Sequence, residues 1–287
     1  MIAEIYINIS ANYQPGDRIY LLGFSRGAVI ARAVAGLIGT SGLLPASRMN
    51  LFRDALDYFM NADRSVRMKE RLENACFESV EIEFVGAFDT AFGGDDKRSG
   101  MLRHLRFPDH DLPPIVNHAV HLLALDERRW YFQSLPWHQR KHERQTLEQI
   151  WMPGTHSDVG GVYRETILGE IALLTMVDRI TAKTSLRFDL ESLSNIYASI
   201  KNRFFDSPIV INNELVGLWR FLPRAKRIKT NVGENQSLHL IVDHCLDAQI
   251  AWKRDRRMSR YRLHDSFGSL NYMDDSSLFP FGDQFVR

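Results

Sequence analysis

Gly23-Phe24-Ser25-Arg26-Gly27 is the segment of this sequence best suited to covalent chemistry. It matches the G-x-S-x-G turn, in which a serine is held between an incoming strand and an outgoing helix. The flanks fit that context. Arg18 to Gly23 (RIYLLG) reads as a buried strand, and the run after Ser25 puts Val29, Ala33 and Leu37 on one helical face. Gly23 and Gly27 are expected to let neighbouring backbones pass without a Cβ clash. The amide of Arg26, in the first turn of the helix, can donate to an oxyanion. Such a serine is a nucleophile for acyl transfer, and the competing reading is a serine that only caps a helix.

A serine hydroxyl needs a general base, and the chain offers ten histidines. The acid that orients the base belongs at the C-terminal end of a strand, on the rim that carries the serine. Two aspartates qualify: Asp89, which follows the strand EIEFVGAF, and Asp158, which follows a strand near Ile150. The usual order in such folds is serine, acid, histidine. With Asp158 as the acid, the base comes from His239, His244 or His264, and His264 ranks last because its surroundings are polar.

These residues require a frame of alternating strands and helices. Ile2, Ile5, Tyr6 and Ile9 fall at helical spacing, although Ile5, Ile7 and Ile9 also alternate as in a strand. Residues 47–75 read as helical, Glu81 to Phe88 as a strand, Asn117 to Arg128 as a helix, and Leu147 to Met152 as a strand. Gly160 and Gly161 form a turn, Ile167 to Thr181 reads as an apolar helix, and His239 to Trp252 also reads as helical. The expected fold class is α/β, a mostly parallel sheet covered by helices on both faces. Residues 1–287 are expected to form one domain, with 189–238 contributing a lid or cap.

Composition narrows the partners. The formal net charge of +1 gives no broad electrostatic footprint for nucleic acid. Cys76 and Cys245 form neither a zinc spacing nor a disulfide framework, and nothing in the pattern calls for a metal or an organic cofactor. The first ten residues, MIAEIYINIS, lack the basic region and cleavage pattern of a signal peptide. This implies a cytoplasmic protein, or one exported by a route that needs no such signal. Leu51, Phe52, Ala55, Leu56 and Phe59 share one helical face. That face either packs over the sheet or makes a peripheral membrane contact, and packing is the expected outcome.

Five segments in order resemble one family. GDRIYLLGFSRGAVIARAVAGLI, FVGAFDTAFG, HAVHLLALDERRWYF, MPGTHSDVGGVY and, more loosely, LHLIVDHCLDAQIAWKR are similar to the catalytic domain of the bacterial type VI secretion lipase effectors of the first class. That domain belongs to a broad bacterial and fungal family of α/β hydrolases. The resemblance implies a serine esterase, a lipase or phospholipase, acting on a lipid or other ester. It implies a triad of Ser25, Asp158 and His239, with His244 in reserve. It makes His156 a loop-ordering residue, although a histidine two before Asp158 could also be taken for a base. On the residues alone, Asp89 is a brace for the serine turn or a second acid, and Gly160 and Gly161 allow a close backbone approach beside Asp158. The family's early strand with an Asp-Gly-Thr motif has no counterpart here, which raises a second reading, a hydrolase fold kept as an interaction module without turnover. The nucleophile strand of such folds is central. Its free side is expected to be covered by a homo-oligomer, by a separate N-terminal chain, or by a later strand of this chain.

Overall fold

The computed structural model describes residues 1–60, 65–91, 111–163, 167–206, 209–214, 221, 235–247, 249–253, 257–263, 267 and 269–273. Most of the segment Lys97 to Pro114, whose Pro, His, Arg and Asp content reads as a loop, and most of the C-terminal twenty residues lie outside that set. The chain opens with α1 (Ile2–Asn12), β1 (Ile19–Phe24) and α2 (Arg26–Ser41), followed by a 3-10 turn and the short helices α3 (Phe52–Met60) and α4 (Val66–Glu73). Then come β2 (Ile82–Phe88), β3 (Val116–Ala124), β4 (Thr146–Met152), the one-turn helix α5 (His156–Val159) and α6 (Ile167–Lys183). The last described elements are α7 (Leu190–Asp206), β5 (Val210–Asn212), β6 (Gln236–Leu238), α8 (Ile241–Asp247), β7 (Gln249–Lys253) and β8 (Arg257–Arg260).

A parallel sheet runs in the order β1-β2-β3-β4-β6, and β5-β7-β8 form a small second sheet. Both faces of the main sheet are covered. Leu21, Val85 and Ala119 pack with Val34 and Leu37 of α2 and Tyr6 of α1, while Phe84, Val120 and Ile150 pack with Ile171, Met176 and Ile180 of α6. This is the α/β architecture expected, with helices on the two faces of a parallel sheet.

Three sequence expectations change. The segment read as a helix from Asn117 is β3, a strand buried from Ala119 to Ala124, so it shows no polar alternation. A strand enclosed on both sides and a buried helix give similar apolar runs. The segment His239 to Trp252 divides into α8 and β7. Among the described residues, β1 pairs with β2 alone, so it stands at the sheet edge, and no later strand lies beside it.

Two open readings resolve. The helical spacing of Ile2 to Ile9 prevails, because α1 must turn Tyr6 inward, where its hydroxyl donates to Gly42 O at 2.8 Å and accepts from Leu44 N at 2.9 Å. The apolar face of α3 is occupied, with Ala55 and Phe59 buried and Phe52 and Leu56 packed against the same core. That face therefore packs inward over the core. Within 189–238, β6 pairs with β4 in the main sheet. No single helix among the described residues is long and apolar enough to cross a membrane.

Candidate active site

Ser25 lies between β1 and α2 with φ 56° and ψ −120°. A non-glycine residue at positive φ is strained and persists only where its surroundings enforce it. Two features enforce it here. Ser25 N donates to Phe88 O on β2 at 3.0 Å, and Gly23 leaves room for the return of the chain. A Cβ on Gly23 would overlap the carbonyl group of Gly27. Gly27 is different: a Cβ there would meet nothing within 4 Å. Of the two glycines expected to serve the elbow sterically, only Gly23 is required for space.

The hydroxyl of Ser25 meets His156 Nε2 at 2.8 Å, and His156 Nδ1 meets Asp89 Oδ2 at 2.7 Å. A carboxylate can only accept, so Nδ1 carries the hydrogen and Nε2 is left free to accept from the serine. Asp89 is fully buried and His156 nearly so. The aspartate is itself fixed. Its Oδ1 accepts from Ala124 N at 3.1 Å, its own N donates to Leu122 O at 2.7 Å, and the next residue, Thr90, donates its N to His121 Nε2 at 3.0 Å. The arrangement can draw a proton from Ser25 and hold the resulting imidazolium against a buried carboxylate.

Topology explains why these residues meet. Asp89 follows β2, the neighbour of β1, and the loop from the end of β4 through α5 carries His156 back across the rim. His239 follows β6, four strand spacings from β1, or about 19 Å at ~4.8 Å each.

The expected acid and base are engaged elsewhere. His239 Nδ1 accepts from Ile241 N at 3.1 Å, so its hydrogen is on Nε2, which donates to Thr175 Oγ1 at 2.9 Å. Burial, with a smaller contribution from the Arg179 charge, pushes His239 down to about 3. Asp158 closes a capping box on α5, accepting at Oδ2 from Thr155 N and Thr155 Oγ1, both at 2.9 Å. It also takes Asn212 Nδ2 at 2.6 Å on Oδ1 and Asn212 N at 3.1 Å on Oδ2. Burial raises Asp158 above the ordinary carboxylate range, and these bonds pull it partly back. Asp158 thus orders the loop that carries His156, and His156, not His239, is the histidine hydrogen-bonded to Ser25. His244, the reserve base, lies in α8 beyond β6. Gly160 approaches closely as expected, but to Phe24 and not to Asp158, while Gly161 adopts φ 64°.

The matched family description is "T6SS, Phospholipase effector Tle1-like, catalytic domain", over residues 1–179. The chain belongs to this Tle1-like catalytic family. It is 32% identical over 145 residues to the uncharacterised protein YEL023C of Saccharomyces cerevisiae, covering 47% of this chain and 20% of that protein. The chain thus spans about a fifth of the length of that curated relative. Among solved structures, it is similar to a Tle1 effector bound to the VgrG spike of the type VI secretion system, with 22% identity and a TM-score of 0.28, covering 55% of this chain and 28% of that one. An uncharacterised protein from Pseudomonas aeruginosa gives 21% identity and a TM-score of 0.38, over 70% of this chain and 30% of that one.

A groove of about 510 Å³ opens at the edge of β1, where Gly23 and Phe24, the two residues before Ser25, line it. Its apolar lining includes Leu22, Phe24, Phe88, Val159 and Leu173. Leu22 and Leu173 are each more than 40% exposed, so the groove presents apolar surface to solvent. The residues that sequence reasoning missed here are Phe132 and His121. His121 was concealed by the helical reading of β3. Asp126 to Arg129 suit a solvated helix end or a buried ion pair equally well by type, and the structure forms the buried pair Glu127–Arg129.

Proposed function

We propose that this chain is a serine-dependent carboxylic ester hydrolase acting through Ser25, His156 and Asp89. The observation that carries the reading is the continuous hydrogen-bonded chain from Asp89 through His156 to Ser25, at 2.7 and 2.8 Å. The three also follow the order serine, acid, histidine along the sequence. His156 Nε2 takes the Ser25 proton as Oγ bonds to the acyl carbon. Asp89 keeps the imidazole in the accepting tautomer and stabilises its cation. The tetrahedral oxyanion forms opposite the Arg26 amide, at the positive end of α2. Collapse breaks the bond to the leaving alcohol, which takes the proton from Nε2. Water, deprotonated by His156, then cleaves the acyl-enzyme and restores Ser25. Every proton in this scheme moves between groups of this chain, substrate and water, and no metal or organic cofactor enters it.

A lipid ester, cleaved as by a lipase or phospholipase, is the substrate class supported by the family description and by the apolar groove beside the serine. The test is hydrolysis of 4-nitrophenyl butyrate and fatty-acid release from phosphatidylcholine vesicles, with and without Ser25→Ala. The variant should stay folded and lose both activities, and a fluorophosphonate probe should label wild type at Ser25. Equal turnover by wild type and Ser25→Ala would defeat the mechanism. Wild type that neither turns over nor takes the probe would leave the interaction-module reading.

A further inference from the structure

The ring of His156 packs against two phenylalanines. Phe24 lies 4.6 Å away, centroid to centroid, at an interplanar angle of 35°, and Phe132 lies 4.9 Å away at 59°. We infer that Phe24 and Phe132 are positioning residues that favour the imidazolium form of His156, so they assist Ser25 chemistry beyond what Asp89 provides. The inference rests on the hydrolase reading above. Physically, the face of a phenyl ring carries negative charge density, and both rings lie within the ~6 Å at which it attracts a cation. A neutral imidazole gains little from them. When it accepts the Ser25 proton, the attraction appears. An interaction present only once charge has developed lowers the barrier and leaves substrate affinity unchanged.

The surroundings keep both rings in place. Phe24 cannot swing toward α5, because its ring fills the space a Cβ on Gly160 would need. Phe132 is covered by the guanidinium of Arg129, whose Cζ is 3.7 Å from the ring centroid. Glu127 grips that guanidinium with two bonds, Nε to Oε1 at 2.9 Å and Nη2 to Oε2 at 2.7 Å. Glu214 stands 3.5 Å from Arg129 Nη1. Glu127 Oε2 also accepts from His156 N at 3.3 Å, so one buried carboxylate ties the histidine backbone to the cation that covers Phe132. Asp126 completes the frame by accepting Gly154 N at 2.7 Å and donating its own N to Gly154 O at 2.9 Å. Asp126, Glu127 and Arg129, just past the end of β3, therefore brace the loop that carries His156. Arg129 draws electron density on Phe132 toward itself, so Phe24 is the ring to perturb.

The experiment replaces Phe24 with 4-fluoro-, 3,5-difluoro- and 3,4,5-trifluorophenylalanine, which keep the ring's shape and progressively drain its face. The readout is turnover of 4-nitrophenyl acetate, whose acyl group is too short to fill the groove that Phe24 also lines. The turnover number should fall in order of fluorination, by about 2- to 30-fold at the most electron-poor ring. KM and melting temperature should stay constant. A turnover number that does not change across the series, with all variants folded, would overturn the inference and leave the hydrolase reading intact. Failure of the wild-type protein to take a fluorophosphonate at Ser25 would instead remove the hydrolase reading, and this inference with it.

Discussion

Asp89→Asn should inactivate the protein, and the structure indicates how. The substitution replaces one carboxylate oxygen with an NH2 donor. If the NH2 faces His156, two donors meet at Nδ1, and the imidazole must move its hydrogen to Nε2. The base then presents N–H to Ser25 and cannot accept its proton. If the amide flips, its oxygen preserves the tautomer, but the NH2 faces Ala124 N, which donates to Asp89 Oδ1 at 3.1 Å in the native site. Two donors would then be opposed at a residue with no solvent exposure, at a cost of about 1–3 kcal/mol. The flip that would rescue activity is therefore disfavoured, and the expected loss in turnover is on the order of 10⁴-fold. Asp158→Asn is the control. There the oxygens cap α5 and hold Asn212, so the expected result is lower stability, by about 1–3 kcal/mol, with turnover per folded molecule retained within about tenfold. The assay is 4-nitrophenyl butyrate hydrolysis normalised to the folded fraction from urea melts. An inactive Asp158→Asn beside an active Asp89→Asn would refute the reasoning and restore the assignment suggested by resemblance.

The two elbow glycines should respond differently. Gly23→Ala drives a methyl into the Gly27 backbone and should destabilise the fold by about 1–3 kcal/mol or more, seen as a lowered urea midpoint. Gly27→Ala meets open space in the first turn of α2 and should leave the midpoint unchanged or raise it by up to about 1 kcal/mol. His239 makes the fold sensitive to acid. It is held near 3 when folded against about 6.5 when unfolded, so below pH 6.5 the unfolded chain binds a proton that the native one refuses, and stability is lost as pH falls toward 3. Asp126 opposes this. Burial raises it to about 6 against the pull of its Gly154 and Tyr261 bonds, so the native state takes up its proton first as pH falls from 6 toward 3.8. His239→Asn should therefore lose less melting temperature between pH 7 and 4 than wild type. An unchanged slope would show that His239 is not the group responsible.

Much of the frame was legible because its elements punctuate themselves. Proline and glycine precede β1, apolar residues run without a break through RIYLLG, and the serine turn passes directly into an amphipathic helix. Asp89 and Asp158 were both identified as strand-end acids, and both lie in the rim. What the sequence withheld was which strand stands beside which. Ile115 to Leu125 satisfies helical spacing and buried-strand spacing equally well, since enclosure on two faces erases alternation. With that segment as a helix, nothing fixes the distance from β1 to any later histidine, and His239 is as eligible as His244.

Strand order supplies the missing constraint. β6 stands at the far side of the sheet from β1, and the two nitrogens of His239 are committed to Thr175 and Ile241. Asp89 ends the strand next to the serine, and His156 is the histidine the chain returns toward it. The residue pattern held that alternative from the outset, since His156 follows Asp89 and so preserves the order of nucleophile, acid and base. Resemblance pointed to the adjacent Asp158 and assigned His156 to loop ordering. The hydrogen bonds divide that loop's work the other way. The aspartate of HSD folds the turn through Thr155 and Asn212, and the histidine faces the serine. A motif can mark the right loop while leaving the roles within it to be decided by which lone pairs are already in use.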